Sequence, residues 1–164
     1  MIKIIIFVLV IASTSYIGIK ASNKYKKKIE IFFDFISFCN SYEANLDFFQ
    51  NNLNDFINDF SKTASKEFGN ILMEKFNLSY QPNNINLLFD HYTHIINNEQ
   101  MGYINNFLSI LGKSDVVSQK KQIETYKYYF IKEYENAKAT YEKKGKAYGK
   151  LGILSGFFII ILMV

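Results

Sequence analysis

The residues of this chain that could do chemistry are few. Asp90, His91 and His94 are the one group of ligand-type side chains, with the two histidines at i, i+3 on an expected helix. That spacing can turn both imidazoles toward one ion, but third and fourth ligands at helical spacing are missing, so solvated or pocket-lining histidines are the better reading. Cys39 sits among Ile36, Phe38 and Tyr42 with no His or Asp beside it, which suits a buried apolar thiol better than a nucleophile. Gly112-Lys113-Ser114 copies only the tail of a phosphate loop and lacks its leading glycine. The chain is therefore expected not to be an enzyme, and no cofactor or metal is expected.

The elements that carry these residues follow from composition. Apolar residues make up 49% of the 164 and aromatics 17%, all Phe and Tyr, which is enough material for a packed core and excludes a disordered chain. One proline, eight glycines and no Asn-Gly or Asp-Gly turn leave little sign of strands. An all-α fold is predicted. Every basic residue is Lys, so the guanidinium fork that reads guanine is absent and specific nucleic-acid recognition is not expected.

Both ends are hydrophobic. Ile2 to Ile19 is apolar apart from Lys3 and a few hydroxyls, and its 18 residues would span about 27 Å as a helix, close to the thickness of bilayer hydrocarbon. Residues 151–164 carry no charge, but they are short for a span, so that helix is expected to start near Ala147. This gives a transmembrane helix over 1–20, a soluble helical domain over 21–150 and a second transmembrane helix over 151–164. Gly152 and Gly156 form a small-xxx-small pair suited to close helix packing in lipid.

Charge is divided along the chain. Lys20 to Lys28 holds five Lys and no acid, residues 29–112 hold ten acids against three Lys, and residues 113–150 hold ten Lys against five acids. The basic parts adjoin the two hydrophobic ends, so the positive-inside rule places the loop between them in the cytoplasm and both termini outside. Lys24, Lys26, Lys27, Lys28, Lys143, Lys144, Lys146 and Lys150 would then lie against anionic headgroups. A cleaved signal peptide ending near Ala21, on a surface protein tethered by its C-terminal helix, is the alternative; the five following Lys count against it.

Between the anchors about six helices are expected: Tyr25 to Phe38, Tyr42 to Phe60, Ala64 to Phe76, Ile85 to Ile96, Glu99 to Leu111, and a long last helix capped by Ser114 or Asp115. The first should bury Ile29, Phe32, Phe33 and Ile36, and the second Leu46, Phe49, Leu53, Phe56, Ile57 and Phe60. Leu78 to Asn84, with Pro82, reads as a loop, and Gly112 as a C-terminal glycine. The last helix should lead into the second anchor without a break, a rod of roughly 54 Å. Acidic side chains such as Asp47, Asp55, Asp59, Glu67 and Glu74 are candidates for docking a partner.

Residues 108–164 also carry a distinctive string: Leu111-Gly112-Lys113-Ser114-Asp115, Gln119, Ile123, Gly145-Lys146-Ala147-Tyr148 and Leu151-Gly152-Ile153-Leu154-Ser155-Gly156. It resembles the stage III sporulation protein AB family. A fainter echo lies at Asn45 to Leu53, where Asn45 stands for the family's acid and Asn51-Asn52 for its Thr-Pro. The resemblance implies a membrane component of the channel joining mother cell and forespore, with a helical domain similar to the platform proteins of type II secretion and type IV pili. It implies as partners a secretion-type ATPase and membrane ring proteins. A homo-oligomer is compatible with all of this.

Overall fold

A computed structural model of the chain describes residues 2–49, 52–76 and 95–163. The order is α1 (Ile2–Ala44), a π-helical turn (Asn45–Phe49), α2 (Leu53–Thr63), α3 (Lys66–Phe76), α4 (Asn98–Ile110), α5 (Val116–Thr140), a second π-helical turn (Tyr141–Gly145) and α6 (Lys146–Met163). No strand occurs among the described residues, so the fold is all-α as predicted. The chain divides into an outer unit, Met1–Ile29 with Glu135–Val164, and an inner unit, Glu30–Tyr134.

Among the described residues the inner unit draws on five helices, where six were expected. The expected helix from Ile85 to Ile96 falls almost wholly outside the described residues, as do Pro82, Asp90, His91 and His94; Ile95 and Ile96 form a buried turn. The first anchor and the first domain helix are one helix, because Lys20 to Lys28 holds neither glycine nor proline and Lys and Ala favour helix. The predicted gap after Phe38 is also helical, since Phe38, Cys39 and Tyr42 are held in the core. The break comes later, where the Asn52 side chain accepts the Asn54 amide at 3.1 Å and caps α2.

The core of the inner unit is built from phenylalanine. Phe35 stacks on Phe130 at 4.6 Å between ring centroids and meets Phe68 edge-on at the same distance. Phe38 meets Phe60 and Phe56 edge-on at 5.3 and 5.4 Å, and Phe107 joins Phe130 at 5.2 Å. Such edge-to-face pairs satisfy the ring quadrupole and add to the burial of apolar area. The buried face of α1 is Ile31, Phe32, Phe35, Phe38, Cys39 and Tyr42. Of the four residues expected inside, Phe32 is buried, Ile29 and Ile36 are half-buried, and Phe33 is 55% exposed. Ile57 of the second predicted stripe is buried, while Leu46, Leu53, Phe56 and Phe60 are half-buried and the Phe49 side chain is outside the described set.

Several polar groups inside this unit are paired, although the buried Asn105 Oδ1 has no hydrogen-bond partner among the described residues. Ser65 donates to the Asp34 carboxylate and accepts the Phe68 amide at the start of α3. Asn97 and Gln100 form a capping box at the start of α4, and the Gln100 amide also donates to Glu133. Glu43 at the end of α1 is bonded by Lys127 of α5 at 2.9 Å.

The outer unit has a different surface. Phe157, Phe158, Ile161 and Leu162 of α6 are exposed, as are Val8, Leu9 and Ile17 of α1, so neither segment is a core helix. Among the described residues two helices are long and apolar enough to cross a membrane, one in each terminal region. The hydroxyls within the first are spent locally: Ser13 donates to the Leu9 carbonyl at 2.8 Å and Thr14 to those of Val10 and Ile11. Such back-bonding lets hydroxyls sit in a helix surrounded by hydrocarbon.

Candidate functional site

The motif residues singled out from sequence gather in two places, one in each unit. In the inner unit they make the corner between α4 and α5. α4 ends at Ile110, and Gly112 turns the chain with φ of 70°, a left-handed conformation that glycine adopts without steric cost. The Gln119 side chain, 1% exposed, locks this turn: it accepts the Gly112 amide at 3.0 Å and donates to the Ile110 carbonyl at 3.3 Å. Asp115 caps α5 by accepting the amides of Val117 and Ser118 at 3.1 and 3.0 Å, while Ser114 reaches Gln122. Ile123, fully buried, anchors the corner one turn further on. Gly112, Asp115, Gln119 and Ile123 are thus parts of one structural device. Of their side chains only the Asp115 carboxylate is exposed, and it is engaged in capping α5.

Hydrogen bonds from Ser118, then the Val117 amide, hold the Asp115 carboxyl below its usual pKa. A lowered folded pKa means that the stabilisation is complete above the ordinary carboxylate value and is lost as pH falls through the folded one. Amide exchange at Val117 and Ser118 should therefore quicken from about pH 4 downward, beyond the change in intrinsic exchange. Asp115→Asn, which keeps an acceptor but has no such titration, should remove that dependence.

The acids proposed for docking are not equivalent. Asp55 and Asp59 lie one turn apart on an exposed face of α2, with Asp59 bonded to Lys62 at 2.8 Å. Asp47, in the first π turn, is paired with Lys120 of α5. Glu67 and Glu74 belong to α3, and their side chains lie outside the described set. Cys39 is fully buried, and burial, reinforced by the charge of Glu43, pushes its thiol pKa far up, which keeps it protonated and unreactive. Among the described residues no group of three His, Cys, Asp or Glu could hold a metal.

In the outer unit α1 and α6 run antiparallel in close contact. A Cβ on Gly152 would lie 2.7 Å from the Gly18 Cα and 2.8 Å from the Thr14 carbonyl oxygen, and one on Gly18 would lie 2.8 Å from the Gly152 Cα. Gly156 faces Thr14 and Ile11, and Gly149 faces Ser22. Sequence reading picked Gly152 and Gly156 but missed their counterpart. The signal was present, since Thr14, Gly18 and Ser22 are small residues spaced i, i+4, i+8. Further along the pair, Tyr148 stacks on Tyr25 with centroids 6.0 Å apart, and the Lys26 ammonium lies 5.8 Å over the Tyr141 ring.

Gly145 closes the second π turn, where the Lys146 amide reaches back five residues to the Tyr141 carbonyl. A side chain at 145 would strike the Tyr141 ring, so this glycine is tied to the packing of that tyrosine. Lys146 pairs with Glu142 on the exposed side. Of the motif residues, Gly145, Lys146 and Tyr148 thus shape the start of α6.

Neither a curated protein nor a solved structure matches the chain. A family model described as stage III sporulation protein AB matches residues 3–164, and with them both the corner motif and the paired apolar helices. The chain belongs to the stage III sporulation protein AB family.

Proposed function

We propose that this sporulation protein is a non-catalytic structural component of the secretion-like channel between mother cell and forespore. Its two terminal helices anchor it in the cell membrane on the mother-cell side, with both termini outside and the inner unit in the cytoplasm as a platform for a secretion-type ATPase and ring subunits. The observation that carries the reading is family membership over 3–164 in a chain with an apolar, membrane-length helix in each terminal region. The lysines flanking both helices support the orientation, and Lys24, Lys26, Lys27, Lys28, Lys143, Lys144, Lys146 and Lys150 are positioned in sequence to meet anionic headgroups. The fit of Gly18 against Gly152 supports retention of the first helix, because cleavage near Ala21 would remove one side of it.

The exposed α2 face is the proposed contact for the ATPase. Charge reversal at both Asp55 and Asp59, carried out in the full-length membrane protein, should lower recovery of the ATPase in pull-downs about tenfold or more, as expected for two contact charges at roughly 1 kcal/mol or more each. Undiminished recovery would remove α2 from the interface. Because such an ATPase is cytosolic, failure of the unaltered protein to recover it at all would count against the orientation.

A further inference from the structure

We propose that the groove along the α1–α6 pair holds one acyl chain of an anionic phospholipid, whose phosphate is met by Lys24 and Lys144. The proposal rests on the membrane-spanning reading above and adds a defined lipid site to it. The groove has an open volume of about 280 Å³ and runs between Thr14, Gly18 and Ala21 on α1 and Tyr148, Gly152 and Ser155 on α6. The seven-residue rise along α1 from Thr14 to Ala21 gives it a length of about 10 Å.

Its chemistry is that of hydrocarbon. The three hydroxyls on its walls are already used, Thr14 on the carbonyls of Val10 and Ile11, Ser155 on that of Gly152 at 3.0 Å, and Tyr148 with Tyr25. A polar ligand would find no free donor there, whereas an alkyl chain loses nothing by entering. Gly18 and Gly152 press backbone against backbone at the floor of the groove, so its walls are the side chains on either side of that contact.

One end of the slot is marked by charge. Lys24 follows Ala21 by three residues on α1, and Lys144, in the π-helical turn that leads into α6, precedes Tyr148 by four, so each stands about one turn beyond the groove, and both are exposed. The stacked Tyr25 and Tyr148 lie at the same end, where amphipathic rings favour the headgroup layer. An alkyl slot that ends between two ammonium groups and a tyrosine pair matches a lipid with a phosphate at the head of its chain, and the charges select an anionic one over a zwitterionic one.

The test uses the full-length protein reconstituted in nanodiscs of equal phosphatidylglycerol and phosphatidylcholine, released into mild detergent and weighed by native mass spectrometry. One phosphatidylglycerol per chain should be retained in preference to phosphatidylcholine. Lys24→Gln with Lys144→Gln should lower that preference about fivefold per lysine, roughly 25-fold together. Ala21→Phe, which fills the slot, should remove retained lipid of either kind. Equal retention of the two lipids, or an unchanged preference in the double variant, would overturn the site, as would a lipid-free dimer, which would put a second copy in the groove. Alkaline carbonate separates the two levels: a chain that stays in membranes but keeps no lipid refutes the groove alone, whereas a chain that is released refutes the membrane reading with it.

Discussion

Replacing Gly152 with Leu is expected to drive α1 and α6 apart. The first added carbon would lie 2.7 Å from the Cα of Gly18 and 2.8 Å from the Thr14 carbonyl oxygen, and these are backbone atoms that cannot step aside as a side chain can. Overpacking of this kind costs about 1–3 kcal/mol, roughly fivefold to more than a hundredfold in a pairing equilibrium. Ser22 and Gly149 supply the readout. A Cβ at 149 would lie 3.9 Å from that of Ser22, within the range that a disulfide spans. With Cys39 replaced by Ala, cysteines at 22 and 149 should crosslink on mild oxidation in membranes, and adding Gly152→Leu should lower the yield at least fivefold. Gly102→Leu is the control, since a side chain there meets nothing within 4 Å. Equal yields in the Gly152 variant and its parent would show that the close approach does not hold the pair together.

Phe38→Ala is expected to cost the inner unit about 3–5 kcal/mol, a large share of the 5–15 kcal/mol that typically separates folded from unfolded domains. Phe38 is fully buried and its ring touches those of Tyr42, Phe56, Phe60, Phe68 and Phe107, so its removal opens a cavity bordered by α1, α2, α3 and α4. Phe33→Ala, on the same helix but at a 55% exposed position, should cost about 1 kcal/mol or less. The comparison is made on the full-length protein in detergent, with denaturant unfolding followed by the near-ultraviolet signal of its twelve tyrosines, which no tryptophan obscures. Equal shifts for the two variants would mean that the aromatic cluster is not the centre of the core.

The contrast between Phe33 and Phe38 also shows what the sequence could tell. Composition and apolar spacing gave the all-α fold, because a chain with one proline and long apolar stripes has few other ways to satisfy its backbone. The corner was legible to the residue: Gly112 as a C-terminal glycine and Asp115 as a cap each have a local hydrogen-bonding cause. Which side of α1 is buried was not, since helices with phenylalanine on several faces do not declare their core side until partners from α3, α4 and α5 arrive. The division between the first two helices was misplaced for the same reason. The expected gap between Phe38 and Tyr42 is instead helical, carried through by the burial of Phe38, Cys39 and Tyr42.

At the proposed sites, local pattern found half of each pair. Gly152 and Gly156 stand out within an apolar run, whereas Gly18 matters only because α6 lies against it. Gln119 was noticed as part of a motif, but its role as the clasp on the Gly112 turn depends on a fold that brings Ile110 and α5 together. Asp47 was grouped with the acids of α2 and is instead tied to Lys120, a pairing across 73 positions that no local rule anticipates.

The phenylalanine cluster has a consequence for biosynthesis. Phe35 leaves the ribosome 95 residues ahead of Phe130, on which it stacks. At about 5–20 residues per second, the aromatic face of α1 waits roughly five to twenty seconds for that partner. During this interval a nascent chain already held by its leading apolar segment would present Phe32, Phe35 and Phe38 uncovered, close to the translocation machinery, and completion of the fold would coincide with the emergence of the second apolar segment.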